Sequence, residues 1–381
     1  MTMRALIAPD SYKGSLSAKE VATIIIEAAS MEWPELECIA IPLADGGEGT
    51  VEALVVATGG QKVSVQVTGP LGKPIIAHYG ILGDQKTVVI EISNIAGFSM
   101  VSSASRDPHR FTTYGLGEIL LKAMEQGFRQ FIIGLGGSAT NDGGLGFLQA
   151  LGAKFYDSNG EKTGIDSQSL FHIQQSDFSD LDPRLHTCSI IIASDVNNPL
   201  CGTNGSTAIY GPQKGIVNAE ILLWDAAMQQ YASVVEQELN VSIQHYLGAG
   251  AAGGMGFACM AIGAKLQSGA ELISDFCNLE EEIRQSKFVI TGEGRTDEQT
   301  LKGKLPYYVA QIAARYQVPV ILLSASLGPN YEKLNEVFSG IHSIIPAPLS
   351  LDQAIENSRS LLFHAARQLF RTMRMATHLL N

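Results

Sequence analysis

With 381 residues the chain is long for one hydrophobic core, and two domains are expected. Lys and Arg number 26 against 38 Asp and Glu, a formal net charge of −12 that argues against a nucleic-acid partner, because phosphate backbones require a basic face. At 45% hydrophobic residues the composition is that of a compact soluble protein, and small phosphorylated ligands stay open to it through backbone N–H groups, a few lysines and a divalent cation.

No apolar run reaches the ~18 residues of a membrane span. The N-terminus MTMRALIAPD carries no secretory pattern. Cys38, Cys188, Cys201, Cys259 and Cys277 are scattered without a C-x-x-C pair, and they read as reduced thiols of a cytoplasmic protein rather than a disulfide set or zinc site. The eight histidines are dispersed too.

In chain order, RALIAPD is a short buried strand, and SLSAKEVATIIIEAA opens a helix with Ser17 and Glu20 in capping-box spacing. ECIAIPLAD is a second strand and GEGTVEALVVATGG a second helix, stopped by Gly59 and Gly60. KVSVQVTGP, PIIAHYGIL and KTVVIEIS then alternate like an antiparallel meander. A helix near TTYGLGEILLKAMEQG, the strand FII and a glycine loop follow, then the strand TCSIIIASD and a helix from Ala219 to Leu239 with Asn218 as its cap. From about Ser286 the strand-helix rhythm returns: KFVITGEG, a helix with Pro306 in the first position, VPVILLSAS, SIIPAP and one long closing helix. The expected fold is α/β, with two α/β domains around a cleft. Residues 1–61 and 286–381 form a doubly wound, mostly parallel, Rossmann-like domain, and 62–285 an inserted domain with a mixed sheet.

GLGGSATNDGG, from Gly134 to Gly144, lies directly behind a strand, and its glycines suggest a backbone that must be closely approached. Gly134, Gly136 and Ala139 satisfy G-x-G-x-x-A, with Asp157 about twenty residues on, the outline of a dinucleotide fingerprint. Gly143 and Gly144 stand where the nucleotide-binding helix should run, which weighs against that reading.

The loop is one of several polar, glycine-rich segments. APDSYKGSLSA carries Asp10, Ser11, Lys13 and Ser15, and PLADGGEGT carries Asp45, Gly46, Gly47, Glu48 and Thr50. SDVNNPLCG holds Asp195, GPQKG holds Lys214, and GAGAAGGMG holds Gly253, Gly254 and Gly256. TGEGRTDEQTLKGK contributes Glu293, Arg295, Asp297 and Lys304. Each has a plainer reading alone, such as a helix cap, an Asx turn or a surface charge. Together, beyond the carboxyl ends of strands, they supply what phosphoryl transfer from ATP needs. Candidate catalytic residues are Asp195, Asp297 and Lys13. Asp195, Asp297 and Glu293 are candidates for magnesium. Asp45, Gly46, Gly47, Glu48, Thr50 and Arg295 are candidates for an acceptor with hydroxyl and carboxylate groups. Gly136, Gly137, Ser138, Asn141, Asp142, Lys214, Gly253, Gly254 and Gly256 are candidates for the nucleotide.

This set, in order from Ala8 to about Pro306, resembles the bacterial glycerate kinases of the glyoxylate and glucarate/galactarate pathways. The resemblance implies ATP- and magnesium-dependent phosphorylation of D-glycerate in the cytoplasm, usually to 2-phosphoglycerate. Tyr12, Thr296, Leu301, Lys302 and Asn197 depart from the family's commoner residues. Two other classes are weighed beside it: an NAD(P)-dependent oxidoreductase acting on a small hydroxy acid, and a non-catalytic sugar-acid sensor. Monomer and homodimer are both open.

Overall fold

The computed structural model describes residues 3–102 and 107–380. The chain splits into two compact units, one of Met1–Asp45 with Ala270–Asn381 and one of Gly46–Gly269.

The first unit is built on a five-stranded, wholly parallel sheet. Its strands are β1 (Arg4–Ile7), β2 (Glu37–Ala40), β3 (Phe288–Thr296), β4 (Val320–Leu327) and β5 (Gly340–Ser343). Across the sheet they run 2-1-3-4-5, so the winding reverses between β1 and β3. Such a reversal splays the loops on either side and leaves a crevice beyond the strands' carboxyl ends. The helices that accompany the sheet include α1 (Ala18–Glu32), α2 (Leu279–Gln285), α3 (Leu305–Arg315), α4 (Leu351–Glu356) and α5 (Ser358–Leu380).

The capping box expected at α1 is present. Glu20 N donates to Ser17 Oγ, and Ser17 N donates to Glu20 Oε2 at 2.8 Å. Val21, Ile24, Ile25 and Ala28 form the buried stripe of α1, packed in one core with Leu362, Ala366 and Phe370 of α5.

The second unit has a six-stranded mixed sheet. Strands Lys265–Gln267, Ser189–Ala193, Gln130–Gly134 and Thr87–Glu91 are parallel, and Pro74–Ile81 and Gln61–Thr68 continue antiparallel from the last, as the meander pattern suggests. Helices Tyr114–Glu125 and Ile221–Leu239 help close a core that includes Phe131, Phe147, Trp224 and Phe257.

The structure corrects several expectations. The expected domain boundaries near 61 and 285 lie instead at 46 and 269. Helix Thr50–Thr58 packs on the strands that follow it, and α2 packs on β1 and α3, so each is drawn in by its own apolar face. Asn218 caps nothing with its side chain: it opens a 3₁₀ turn, Asn218–Glu220, and the long helix starts after it. Pro306 is the second residue of α3, the first being Leu305. Ile344–Pro348 is not strand, because β5 ends at Ser343. The long closing helix is two, since Ser350 and Gln353 cap a separate α4 whose run ends at Asn357.

Candidate active site

At the winding reversal of the first unit lies a cavity of about 500 Å³. Asp10, Ser11, Tyr12, Lys13 and Ser15 reach it from the loop after β1, Asp45 from the segment after β2, and Glu293, Gly294 and Arg295 from the end of β3. Lys304 and Leu305 come from the start of α3, and Ser326 from the end of β4. Tyr12 anchors its loop: it is buried, and its hydroxyl donates to Leu323 O at 2.7 Å. Gly14 turns the same loop with φ +81°, and Tyr12 N donates to Leu16 O across the turn.

Lys13 Nζ stands 3.3 Å from Asp45 Oδ2. The Asp45 carboxylate therefore holds the lysine's pKa above its ordinary value. Asp10 goes the other way for an acid. Burial, then the Asp45 charge beside it, pushes its carboxyl up to about 7, against the pull of Lys13 and of the Ser11 N–H.

Glu293 is buried, and both its oxygens are engaged. Thr296 and Thr300 hydroxyls donate to Oε1 at 2.9 and 2.7 Å, and Lys304 Nζ donates to Oε2 at 3.1 Å. That commitment makes Glu293 the post that ties the end of β3 to the start of α3, and a poor fit to a metal. Arg295 is exposed, with Nε 3.5 Å from Asp297 Oδ2. Asp297 Oδ1 also accepts from Gln299 N and caps the 3₁₀ turn Glu298–Lys302.

In the second unit the glycine-rich loops approach one another. A Cβ on Gly136 would lie 2.5 Å from Gly47 Cα, and one on Gly134 2.7 Å from Gly46 O. A Cβ on Gly253 would collide with Thr140 O, one on Gly256 with Gly248 O, and one on Gly254 would stand 2.6 Å from Gly143 Cα. Gly136 N donates to Gly46 O, and Gly143 N to Gly253 O. A side chain at these glycines would meet the backbone of neighbouring loops, so close loop-on-loop packing is one reason that they are glycines.

The polar residues of these loops are also drawn inward. Asp142 is fully buried and accepts from Thr113 N, Thr113 Oγ1 and Gly144 N, while burial pushes its carboxyl above the usual range. Asn141 donates to Thr207 Oγ1. Lys214 is buried, with Nζ donating to Ser138 Oγ at 2.9 Å and Thr140 O at 2.7 Å; burial lowers its pKa to about 7. Thr50 is buried on Gly47 O, whereas Glu48 is exposed. Asp195 is exposed at the end of strand Ser189–Ala193, accepting from Ser268 Oγ and Gly269 N. The helix of a dinucleotide fingerprint is absent behind Gly134, since the next helix is Leu145–Ala150.

The structure thus gathers Lys13, Asp45, Glu293 and Arg295 of the sequence candidates on one cavity and adds Asp10, Ser326 and Lys304. Asp10 and Lys304 lay inside the motifs already read, and their places, after a strand and at the start of a helix, were the available signal. The cavity's other wall, with Ile345, Leu351, Ala354, Ile355 and Leu361, carries no motif that would reveal it. Among the described residues no group of three or more His, Cys, Asp or Glu is arranged to hold a metal ion.

A profile of the glycerate kinase family matches residues 5–374. The glycerate 2-kinase of Escherichia coli (strain K12) is 45% identical over 373 residues, covering 97% of this chain and 98% of its own length. A glycerate kinase of Halalkalibacterium halodurans is 42% identical over 366 residues, covering 96% of each. A crystal structure from Salmonella typhimurium LT2, of a protein assigned as glycerate kinase 2, superposes with a TM-score of 0.85 at 43% identity, covering 99% of this chain and 100% of that one. The fold and these likenesses define an α/β enzyme of the kinase class. In particular, the chain belongs to the glycerate kinase family.

Proposed function

We propose that the enzyme transfers the terminal phosphoryl group of ATP to D-glycerate, giving 2-phosphoglycerate, in a magnesium-dependent reaction. The observation that carries this reading is the cavity at the winding reversal, where Asp10, Lys13, Asp45, Arg295 and Lys304 meet from the ends of three strands and the start of α3. Phosphoryl transfer asks a protein mainly for positioning and charge stabilisation, and this set offers both. The 2-position follows the name of the Escherichia coli relative.

Magnesium is held by one or two carboxylates together with phosphate oxygens and water, so a cage of three acids is not needed. Asp10 and Asp45 fit that donor set, and Glu293, with both oxygens engaged, does not. When bound there, the cation would offset the charge of the phosphates. Lys13 and Lys304 are the ammonium groups proposed to face the moving phosphoryl group. The Arg295 fork suits the glycerate carboxylate in bidentate fashion. Asp297 is the aspartate proposed to orient the acceptor hydroxyl and take its proton, and Asp195 of the second unit is a further proposed catalytic residue. In the second unit, Ser138 backed by Lys214 is the pair proposed for phosphate contact. Gly46, Gly47, Thr50, Gly136, Gly137, Asn141, Asp142, Gly253, Gly254 and Gly256 supply its frame.

The test is a coupled ADP-release assay with D-glycerate, with and without magnesium, followed by phosphorus NMR of the product. Glycerate-dependent ADP release that needs the cation, with phosphate on the second carbon, is expected. Nucleotide turnover indifferent to glycerate would overturn the reading.

A further inference from the structure

The cavity of the first unit has two unlike walls. One is the charged set already described. The other is aliphatic: Ile345 after β5, Leu351, Ala354 and Ile355 of α4, and Leu361 of α5. Leu351 and Ile355 lie one helical turn apart, and they are 75% and 37% exposed. Aliphatic groups left in contact with water beside a charged cluster need a reason, and glycerate does not supply it. A three-carbon hydroxy acid is polar at every carbon and has no flat apolar face to cover such a wall.

We propose that this aliphatic wall seats the nucleoside end of the triphosphate, with the purine ring against Leu351, Ile355 and Ile345 and the phosphates running toward Lys13 and Lys304. Several observations support the placement. The cavity, about 500 Å³, falls in the range of pockets for ligands much larger than glycerate. Its site, the reversal point of a 2-1-3-4-5 parallel sheet, is where open α/β sheets take mononucleotides. Covering the wall with a purine removes apolar surface of both partners from water, at roughly 25 cal/mol per Å². The inference rests on the kinase reading, because it takes the ligand to be a nucleoside triphosphate.

The experiment uses the full chain carrying Leu351→Glu or Ile355→Glu, with Leu223→Glu, an exposed position in the second unit, as control. Thermal unfolding first establishes that each variant is folded, and Leu351→Ser and Ile355→Ser replace any that is not. Binding of a ribose-labelled fluorescent ATP analogue is measured without glycerate, and KM is measured for ATP and for glycerate separately. The expected result is a rise of at least tenfold in the analogue's Kd and in KM for ATP, with KM for glycerate within twofold of the parent and Ile355→Val close to it. Unchanged nucleotide binding in both wall variants overturns the inference, as does a rise confined to the KM for glycerate. Failure of the kinase reading shows separately, as absence of glycerate-dependent ADP release from the unsubstituted enzyme.

Discussion

Lys304 Nζ lies 3.1 Å from Glu293 Oε2, so the residue that caps α3 is tied to the buried acid near the end of β3. The acid's side chain is 6% exposed and the lysine's 39%. Removing the lysine leaves a desolvated carboxylate with only two hydroxyl partners. Because the lysine is partly in water, the full cost of breaking a buried pair does not apply, and Lys304→Met should cost about 1–3 kcal/mol. Urea unfolding should show the loss, and Glu293→Gln in the same background should return at least half of it. Additive losses would refute the coupling.

Asp10 makes stability depend on pH in a direction opposite to a salt-bridged acid. Its carboxyl is raised from 3.8 to about 7, so the folded protein binds the proton more tightly than the unfolded chain does. The resulting stability is fully present below the unfolded value and is lost as pH rises through the folded one. In metal-free buffer, Asp10→Asn should therefore raise Tm by roughly 2–4 °C at pH 8 and leave it unchanged near pH 3.8. An equal gain at both pH values would point to packing instead of titration.

Gly136 is packed against Gly47, where an added Cβ would sit 2.5 Å from Cα. Both partners there are backbone and have no rotamer to escape into. Gly136→Ala should lower Tm by about 5 °C or more, or leave the chain insoluble. Gly160→Ala meets open space and carries only the strain of φ +78°, about 1–2 kcal/mol. Calorimetry of the pair separates loop-on-loop packing from a general intolerance of substitution. Similar losses for both would contradict the packing account.

Asp297 both caps a 3₁₀ turn and is proposed to act on the acceptor. Asparagine caps as well as aspartate does, so Asp297→Asn should keep the fold while losing at least ~100-fold in turnover. Asp45→Asn and Asp195→Asn are expected to fall by a similar factor. Steady-state ADP release with matched melting curves is the check. Three folded variants of near-normal turnover would remove these aspartates from the chemistry.

Much of this protein can be read from local chemistry alone. The Ser17–Glu20 box, the Val63-Val65-Val67 alternation and the stripe of Val21, Ile24 and Ile25 are short-range patterns, and the elements they specify form as read. The ordered set of loops from Ala8 to Pro306 is enough to point to the family. Tertiary structure decided the rest. Gly136 and Gly253 lie against the backbone of neighbouring loops, which only folding reveals, because a sequence shows that a side chain is missing but not what occupies its place. Asp10 gained its altered proton affinity only when folding brought Asp45 beside it and took water away. Leu351 and Ile355 carry no motif, since an apolar residue means core or binding surface only once its neighbours are known. Spacing along the chain governs local hydrogen bonds and periodic faces, whereas burial, electrostatic coupling and cavity shape arise between residues distant in sequence and exist only in the folded chain.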